Sequence, residues 1–98
     1  MTLTKYGIVL KIAEEMPELR QRDIMDVLQL TLDTITNALV EGENVELRNF
    51  GVFDVVERKA RVGRNPKKPT QETVIPAHKA VRFRQGKAMR DHVESKRK

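Results

Sequence analysis

Apolar residues near the start of the chain recur at the spacing of an α-helix. Thr4 carries a hydroxyl that can cap a first helical turn, and Pro17 ends the run of apolar positions. The residues between them repeat at intervals of three or four: Ile8, Val9, Ile12, Ala13 and Met16. This pattern predicts a first helix over residues 4–15.

A second helical pattern begins close to Arg20 and continues to Gly42, a residue suited to a left-handed C-terminal cap. Its apolar residues occupy two flanks, which is wider than the stripe that one small core covers. They are Ile24, Val27, Leu28, Ile35 and Leu39 on one flank, and Met25 and Leu32 on the other. A second copy of the chain is the simplest cover for this surplus. The alternative is a helix that lies over its own sheet and leaves several leucines exposed.

After the second helix the apolar period changes to two, which is the spacing of β-strands. The alternating apolar positions are Val45, Leu47, Phe53 and Val55. Asn49 and Gly51 allow positive φ at a turn between the two strands. The prediction is an antiparallel hairpin with Phe50 packed beneath its turn.

Residues 79–84 alternate in the same way and predict a further strand. We expect Val81 and Phe83 to face the core, and Lys79, Arg82 and Arg84 to face outward together. The strand breaks at residues 85–86, and we place a short helix at 85–93, counted from that break. Its apolar and ring positions are Ala88, Met89, His92 and Val93.

The intervening residues, about 57–75, lack the apolar pattern of a core element. Residues 61–69, RVGRNPKKP, contain four cations and two prolines, with Val62 as their only large apolar side chain. Val62, Val74 and Ile75 are the positions at which two extended segments can pair. We therefore expect an extended β-ribbon arm, in which proline belongs at an edge, a bulge or the tip.

Charge is divided unevenly along the 98 residues. Residues 1–57 hold 5 Lys+Arg and 11 Asp+Glu, whereas residues 58–98 hold 14 Lys+Arg and 3 Asp+Glu. The net charges are −6 and +11, which together give the +5 of the whole chain. The division indicates a first part that folds and a second part that meets an anionic partner.

Enzyme, metal and cofactor signatures are missing from the sequence. There is no cysteine, and His78 and His92 lie fourteen residues apart without an acidic cluster at ligand spacing. No glycine-rich phosphate loop occurs, and no apolar run approaches the ~20 residues of a membrane span. We expect a cytoplasmic, non-enzymatic protein that needs no cofactor and does not enter a membrane.

The basic residues of the second part are grouped in a way that suits a nucleic-acid backbone. They cluster on the arm, on the 79–84 strand and at Lys87, where the start of the last helix also offers free amides. Aromatic residues that could stack on bases are few, which favours duplex DNA over a single strand. The candidate DNA-binding residues are Arg58, Lys59, Arg61, Arg64, Asn65, Pro66, Lys67, Lys68, Lys79, Arg82, Arg84 and Lys87. Structured RNA, or a ribosomal partner bound by the same arm, is the alternative, and a protein-interaction module is a third.

Several of these motifs together resemble the HU and integration host factor family of bacterial nucleoid proteins. The resemblance covers residues 2–93 and is carried by FGVF at 50–53, GRNP at 63–66, IPA at 75–77 and Phe83 followed by Gly86-Lys87. It implies an intertwined dimer with a helical body, a sheet saddle and two β-ribbon arms that embrace the minor groove. It also implies that Pro66 intercalates near the arm tip, that Arg58, Arg61 and Arg64 line the groove, and that Lys87 and Lys5 contact phosphates.

The expected fold is α+β, in a single HU-like DNA-binding domain over residues 1–98. Its parts are a helical dimerisation part at 1–42, a sheet at 43–84 with the arm at about 57–75, a helix at 85–93 and a basic tail at 94–98. Double-stranded DNA and a second protomer are the expected partners, a homodimer first and a heterodimer with a paralogue left open. The expected function is to bend DNA at the nucleoid with little sequence specificity. Three departures from the family pattern are Lys67-Lys68-Pro69 at the arm's turn, no Ser or Thr cap near Arg20, and Asn49 in place of glycine.

Overall fold

The computed structural model describes residues 1–65 and 68–95, and gives the backbone alone at residues 64, 65 and 68–72. The fold is α+β, as predicted. It divides into two compact units, Met1–Asn37 and Ala38–Lys98. In chain order the helices and strands are α1 Lys5–Glu15, α2 Gln21–Val40, β1 Val45–Leu47, β2 Gly51–Arg58, β3 Arg61–Asn65, β4 Lys68–Ile75, β5 His78–Gln85 and α3 Lys87–Ser95.

The first unit is helical, and its helices begin where the sequence predicts. Thr4 caps α1, because its hydroxyl accepts a hydrogen bond from the Gly7 amide at 3.1 Å. The second helix follows Arg20, whose carbonyl accepts from the Ile24 amide at 3.1 Å. The Arg20 side chain also donates to Asp23 at 3.2 Å. The start of α2 therefore has an ion pair between Arg20 and Asp23 where the family pattern has a serine or threonine cap.

The helical unit buries little of its apolar surface. Val9 and Ile24 are 1% and 4% exposed, whereas Val27 and Leu30 on α2 are 64% and 65% exposed. An open cleft of about 390 Å³ lies between the helices of this unit and is lined mainly by apolar side chains. Of the two flanks of α2 that the sequence indicates, Ile24 is buried, Val27 and Leu32 are exposed, and the other residues are half-buried in this chain.

The second unit begins with the end of α2 and a three-stranded antiparallel sheet in the order β1-β2-β5. Gly42 has φ of 84° and caps α2, with its amide donating to the Leu39 carbonyl at 3.0 Å. Asn49 has φ of 68° in the turn between β1 and β2, as predicted. Gly51, at which the sequence also allowed positive φ, does not adopt it. Gly51 is needed instead for space, because a Cβ there would lie 2.5 Å from the Phe83 ring.

Three phenylalanines link the β1–β2 turn to strand β5. The ring of Phe83 lies 4.9 Å from that of Phe53 and 5.5 Å from that of Phe50, measured between centroids. These spacings suit tilted aromatic pairs. Phe50 contacts the Phe83 ring but is 45% exposed, so the packing beneath its turn that the sequence predicts is only partial in this chain. Phe83 and Val81 remain 41% and 57% exposed, so in this single chain their face is only partly covered.

A separate two-stranded antiparallel ribbon, β3-β4, forms much of the predicted arm. Val62 pairs with Val74 and Arg61 with Ile75, so the three apolar positions named from the sequence all take part in the pairing. The register shifts between Arg64 and Asn65, at the end of β3. The ribbon starts at residue 61 rather than 57, because β2 continues to Arg58 in register with β5.

The last helix spans Lys87–Ser95 rather than residues 85–93. Its start is set by Gly86, whose carbonyl accepts from the Arg90 amide at 3.0 Å and whose own amide donates to Phe50 at 2.8 Å. At the other end the Ser95 hydroxyl donates to the His92 carbonyl at 2.8 Å. Residues 94 and 95, assigned to the tail by the sequence, therefore belong to the helix. The rest of the tail, residues 96–98, lies outside the described residues.

Candidate nucleic-acid interface

Strands β2 and β5 place a group of charged side chains on one side of the three-stranded sheet. Residues two apart on a strand share a face, and residues paired between antiparallel strands lie on that same face. Asp54 pairs with Arg82 and Arg58 pairs with His78, while Arg84 is two residues beyond Arg82. We call these five residues of β2 and β5 the arginine face. On the same side of the sheet, the edge strand β1 adds Glu46, which pairs with Val52 opposite Arg84.

Asp54 lies at the centre of the arginine face and holds two arginines. Its side chain accepts from Arg82 Nε at 3.1 Å and Arg82 Nη2 at 2.9 Å, which is a bidentate pair, and from Arg84 Nη2 at 2.9 Å. Asp54 is only 7% exposed, whereas the Arg82 and Arg84 side chains are 46% and 57% exposed. Since each guanidinium has five N–H donors, both retain donors for a further ligand.

The same contacts keep Asp54 ionised. The hydrogen bond from Arg82 is the main cause that lowers the pKa of Asp54. Burial works in the opposite direction, and the charges of Arg82 and Arg84 lower the pKa further. The hydrogen bond to Asp54 also raises the pKa of Arg82. One carboxylate and two guanidiniums leave a net positive cluster that can attract a phosphate.

A basic cleft lies where the sheet passes into the ribbon. It has a volume of about 430 Å³ and is lined by the end of β2, the link to β3, the first residue of β3 and the start of β5. The lining residues are Arg58, Lys59, Ala60, Arg61 and His78. Three predicted DNA-binding residues, Arg58, Lys59 and Arg61, are thus brought together in one place. All three are exposed.

Lys79 was expected to face outward together with Arg82 and Arg84, and this expectation is wrong. Lys79 pairs with Glu57 and shares its face with Phe83, because Phe83 is four positions further along the strand, an even step. Arg82 is three positions further along, an odd step. The Lys79 side chain therefore lies on the side opposite the arginine face, although its exposure is high.

Lys87 is the first residue of α3, as the predicted phosphate contact requires. The amides at the start of a helix have no partner within it, and the helix dipole favours an anion there. Lys87 is exposed. Lys5, the second phosphate contact implied by the resemblance, lies in the helical unit. Its ammonium group donates a hydrogen bond to the Gln29 side chain.

The predicted residues nearest the arm tip are described least. Arg64, Asn65 and Lys68 lie on the paired strands β3 and β4, and only their backbone is described. Pro66 and Lys67 lie outside the described residues. Their roles stay predictions.

Two members of the arginine face were missed from the sequence. Asp54 lies between Phe53 and Val55, so strict alternation already assigns it to the face opposite these apolar side chains. His78 has the same parity as Arg82 and therefore belongs to the same face. Parity along β5 was the available signal, and applying it would also have separated Lys79 from the arginines.

Within residues 1–65 and 68–95, no group of three or more His, Asp or Glu side chains is arranged to hold a metal ion. The helices in that part of the chain lack the combined length and hydropathy of a membrane span.

Comparison with known proteins relates almost the whole chain to one group. A family model described as bacterial DNA-binding protein matches residues 3–94. "Probable DNA-binding protein HU" of Chlamydia trachomatis is 42% identical over 94 residues, which are 96% of this chain and 93% of the relative. The protein of the same name from Chlamydia pneumoniae is 41% identical over 97 residues, which are 99% of this chain and 96% of the relative.

Solved structures show the same relationship in three dimensions. A chain of the Anabaena HU–DNA cocrystal structure matches with a TM-score of 0.82 and 38% identity, over 92% of this chain and 96% of that chain. An HU mutant from Thermotoga maritima matches with a TM-score of 0.65 and 24% identity, over 92% of this chain and 97% of that chain. The second match supports the fold alone.

Proposed function

Because this chain belongs to the HU family of bacterial DNA-binding proteins, we propose that it acts as an architectural protein that bends duplex DNA. It contacts phosphates and the minor groove, and it reads little or no base sequence. The nucleoid is its place of action, and it catalyses no reaction. The Anabaena relative was crystallised with DNA, which supports DNA as the ligand of this chain.

The arginine face is the observation that carries the proposal. The face runs along the paired strands β2 and β5. One end is the pair Arg58 and His78, and the other end is Arg84, six residues beyond His78 on β5. At about 3.4 Å per residue this is roughly 20 Å, and one duplex strand presents a phosphate every ~3.4 Å along the axis. The face can therefore meet several phosphates at once. The Asp54 contacts hold Arg82 and Arg84 in place, so less side-chain freedom is lost when a phosphate binds.

Dimerisation supplies the rest of the interface. Proteins of the HU family are dimers. The exposed apolar residues of α2, Val27 and Leu30 among them, support the same assembly here, because a second protomer removes them from water. Two copies double the number of arginine faces and ribbons that one duplex can contact. The intertwined arrangement is part of the proposal.

The ribbon is proposed to extend the grip around the duplex. Arg61 begins β3 at the basic cleft, and the ribbon continues from there to the predicted wedge, Pro66. A rigid apolar ring between base pairs unstacks them, while the cations around it hold the phosphates of the bent duplex. Lys68 and Pro69, which the sequence placed at the arm's turn, already belong to strand β4, and Lys67 lies outside the described residues. In this proposal residues 1–98 act as one DNA-binding domain, with dimerisation at 1–42 and the sheet and arm at 43–84.

A competition assay tests the proposal directly. The parent protein is mixed with a labelled linear duplex, and nicked DNA, pre-bent DNA and duplex RNA of the same length are added as competitors. We expect nicked and pre-bent DNA to compete best, because the cost of bending has already been met, and duplex RNA to compete worst. Stronger competition by duplex RNA would favour the RNA-binding alternative. If the protein bound neither the labelled duplex nor any competitor, a protein-interaction module would be favoured.

A further inference from the structure

The basic cleft contains a histidine that the proposed function does not yet use. His78 is the first residue of β5 and lies opposite Arg58, the last residue of β2. Lys59 and Arg61 line the same cleft from the link and from β3. The side chain of His78 is exposed, so a ligand in the cleft can reach it.

The backbone fixes how the His78 ring can act. Its Nδ1 lies 3.1 Å from the carbonyl oxygen of Pro76. A carbonyl only accepts, so this contact assigns the proton of the neutral ring to Nδ1 and leaves Nε2 as an acceptor. A neutral Nε2 offers nothing to a phosphate oxygen. When the ring gains a second proton, Nε2 becomes a charged donor while Nδ1 keeps the Pro76 carbonyl.

The charges around the ring favour an anion in the cleft. Arg58 from β2, Lys59 from the link and Arg61 from β3 all contribute positive charge there. The nearby acid, Glu57, is not on this side, because it pairs with Lys79 on the opposite face of the sheet. A phosphate in the cleft is therefore the group that would stabilise a protonated His78.

We propose that this cleft is a binding site for a backbone phosphate of duplex DNA, in which His78 donates through Nε2 when protonated. The proposal rests on the proposed function and adds a pH dependence to it. Because the protonated ring binds the phosphate better, binding takes up protons and affinity rises as the pH falls. The two sites of a dimer respond together when both contact the same duplex.

The chain supplies a matched control for the test. It has two histidines, His78 and His92, and His92 lies on α3 outside the lining of the cleft. Affinity for one linear duplex is measured at pH 7.5 and pH 5.5, at fixed salt, for the parent and for His78→Gln and His92→Gln. Glutamine keeps hydrogen-bonding capacity but cannot gain the charge. Circular dichroism of each variant checks that it is folded.

The expected result is specific to one variant. The affinity of the parent and of His92→Gln should rise by about three- to tenfold at the lower pH, which lies below the ceiling of about 100-fold that one proton taken up sets over two pH units. His78→Gln should bind with nearly the same affinity at both. Loss of the response in His92→Gln, or its retention in His78→Gln, would overturn the proposal.

A spectroscopic measurement provides an independent check that does not depend on a variant. The ring signals of the two histidines are followed by NMR over the same pH range, with and without the duplex. We expect the titration midpoint of His78 to move to higher pH when DNA is bound, and an unchanged midpoint would contradict the phosphate contact. If the parent binds DNA equally well at both pH values, only this site fails. If it binds no DNA at either pH, the proposed function fails.

Discussion

Replacing Gly51 with alanine tests how tightly strand β5 is held against the start of β2. A Cβ at residue 51 would lie 2.5 Å from Phe83 Cε1 and 2.6 Å from the carbonyl oxygen of Arg84. Non-bonded carbon atoms normally stay about 3.5–4.0 Å apart, so the neighbours must retreat by roughly 1 Å. The Arg84 oxygen belongs to the backbone of the neighbouring strand and cannot swing aside. Relief of this contact therefore requires the two strands to separate.

The expected destabilisation follows from that geometry. Overpacking a well-filled site costs about 1–3 kcal/mol, and a clash with both an aromatic ring and a backbone oxygen belongs near the upper end. We expect Gly51→Ala to lower the free energy of unfolding by about 3 kcal/mol. For a domain of this size about 1 kcal/mol lowers the midpoint by roughly 4–8 °C, so a fall of about 12–24 °C is expected. Arg84 should shift with its strand, which loosens its bond to Asp54.

Urea unfolding and thermal unfolding, followed by circular dichroism, measure this loss. Protein concentration is held constant throughout, because the stability of a dimer depends on it. Gly63→Ala is the control: its Cβ would lie 3.2 Å from Ile75 Cδ1, the tip of a flexible side chain. That variant should lose less than about 1 kcal/mol. Equal stabilities of Gly51→Ala and the parent would refute the reasoning.

Three further predictions concern the arginine face, the arm and the assembly. Ionised Asp54 contributes stability above its unfolded pKa, near 3.8, and this stability is lost as the pH falls through the lower pKa of the folded state. Urea unfolding should therefore show Asp54→Asn less stable than the parent at pH 7, and the difference in the free energy of unfolding should narrow below about pH 4. Pro66→Ala should reduce bending of a duplex more than affinity, whereas Arg64→Ala should do the reverse; equal bending by Pro66→Ala and the parent would make the proline only a turn former. Native mass spectrometry of the free protein should give twice the 11.3 kDa of the chain, and a monomer at micromolar concentration would contradict a dimer that covers α2.

Features that depend on neighbours in sequence could be predicted well. The Thr4 cap at the start of α1 and the Gly42 cap at the end of α2 each rest on interactions within one helical turn. The local pattern was therefore enough to find both positions. Asn49 likewise takes positive φ in a turn that it helps to define. Strands β1, β2 and β5 followed from alternation alone, and the ribbon followed from the few apolar residues of a polar segment, of which Val62 and Val74 pair.

Features that depend on register between distant strands were harder to predict. Asp54 and Arg82 lie 28 residues apart, and only the pairing of β2 with β5 brings them into contact. Gly51 was explained by its freedom of φ, whereas its real constraint is the ring of Phe83 on another strand. The error at Lys79 was of another kind. Its parity was readable from the sequence, but its charge suggested the wrong face.

Above all, we propose that this chain binds the backbone phosphates of duplex DNA and bends the duplex. Energy transfer between dyes at the two ends of a short duplex, measured at about 50 to 200 mM salt, tests both parts of the claim in one titration. The transfer should increase on binding, and a dimer with ~6–10 phosphate contacts should lose about 10³–10⁵-fold in affinity over that range. Binding with unchanged end-to-end distance, or with an affinity indifferent to salt, would contradict it.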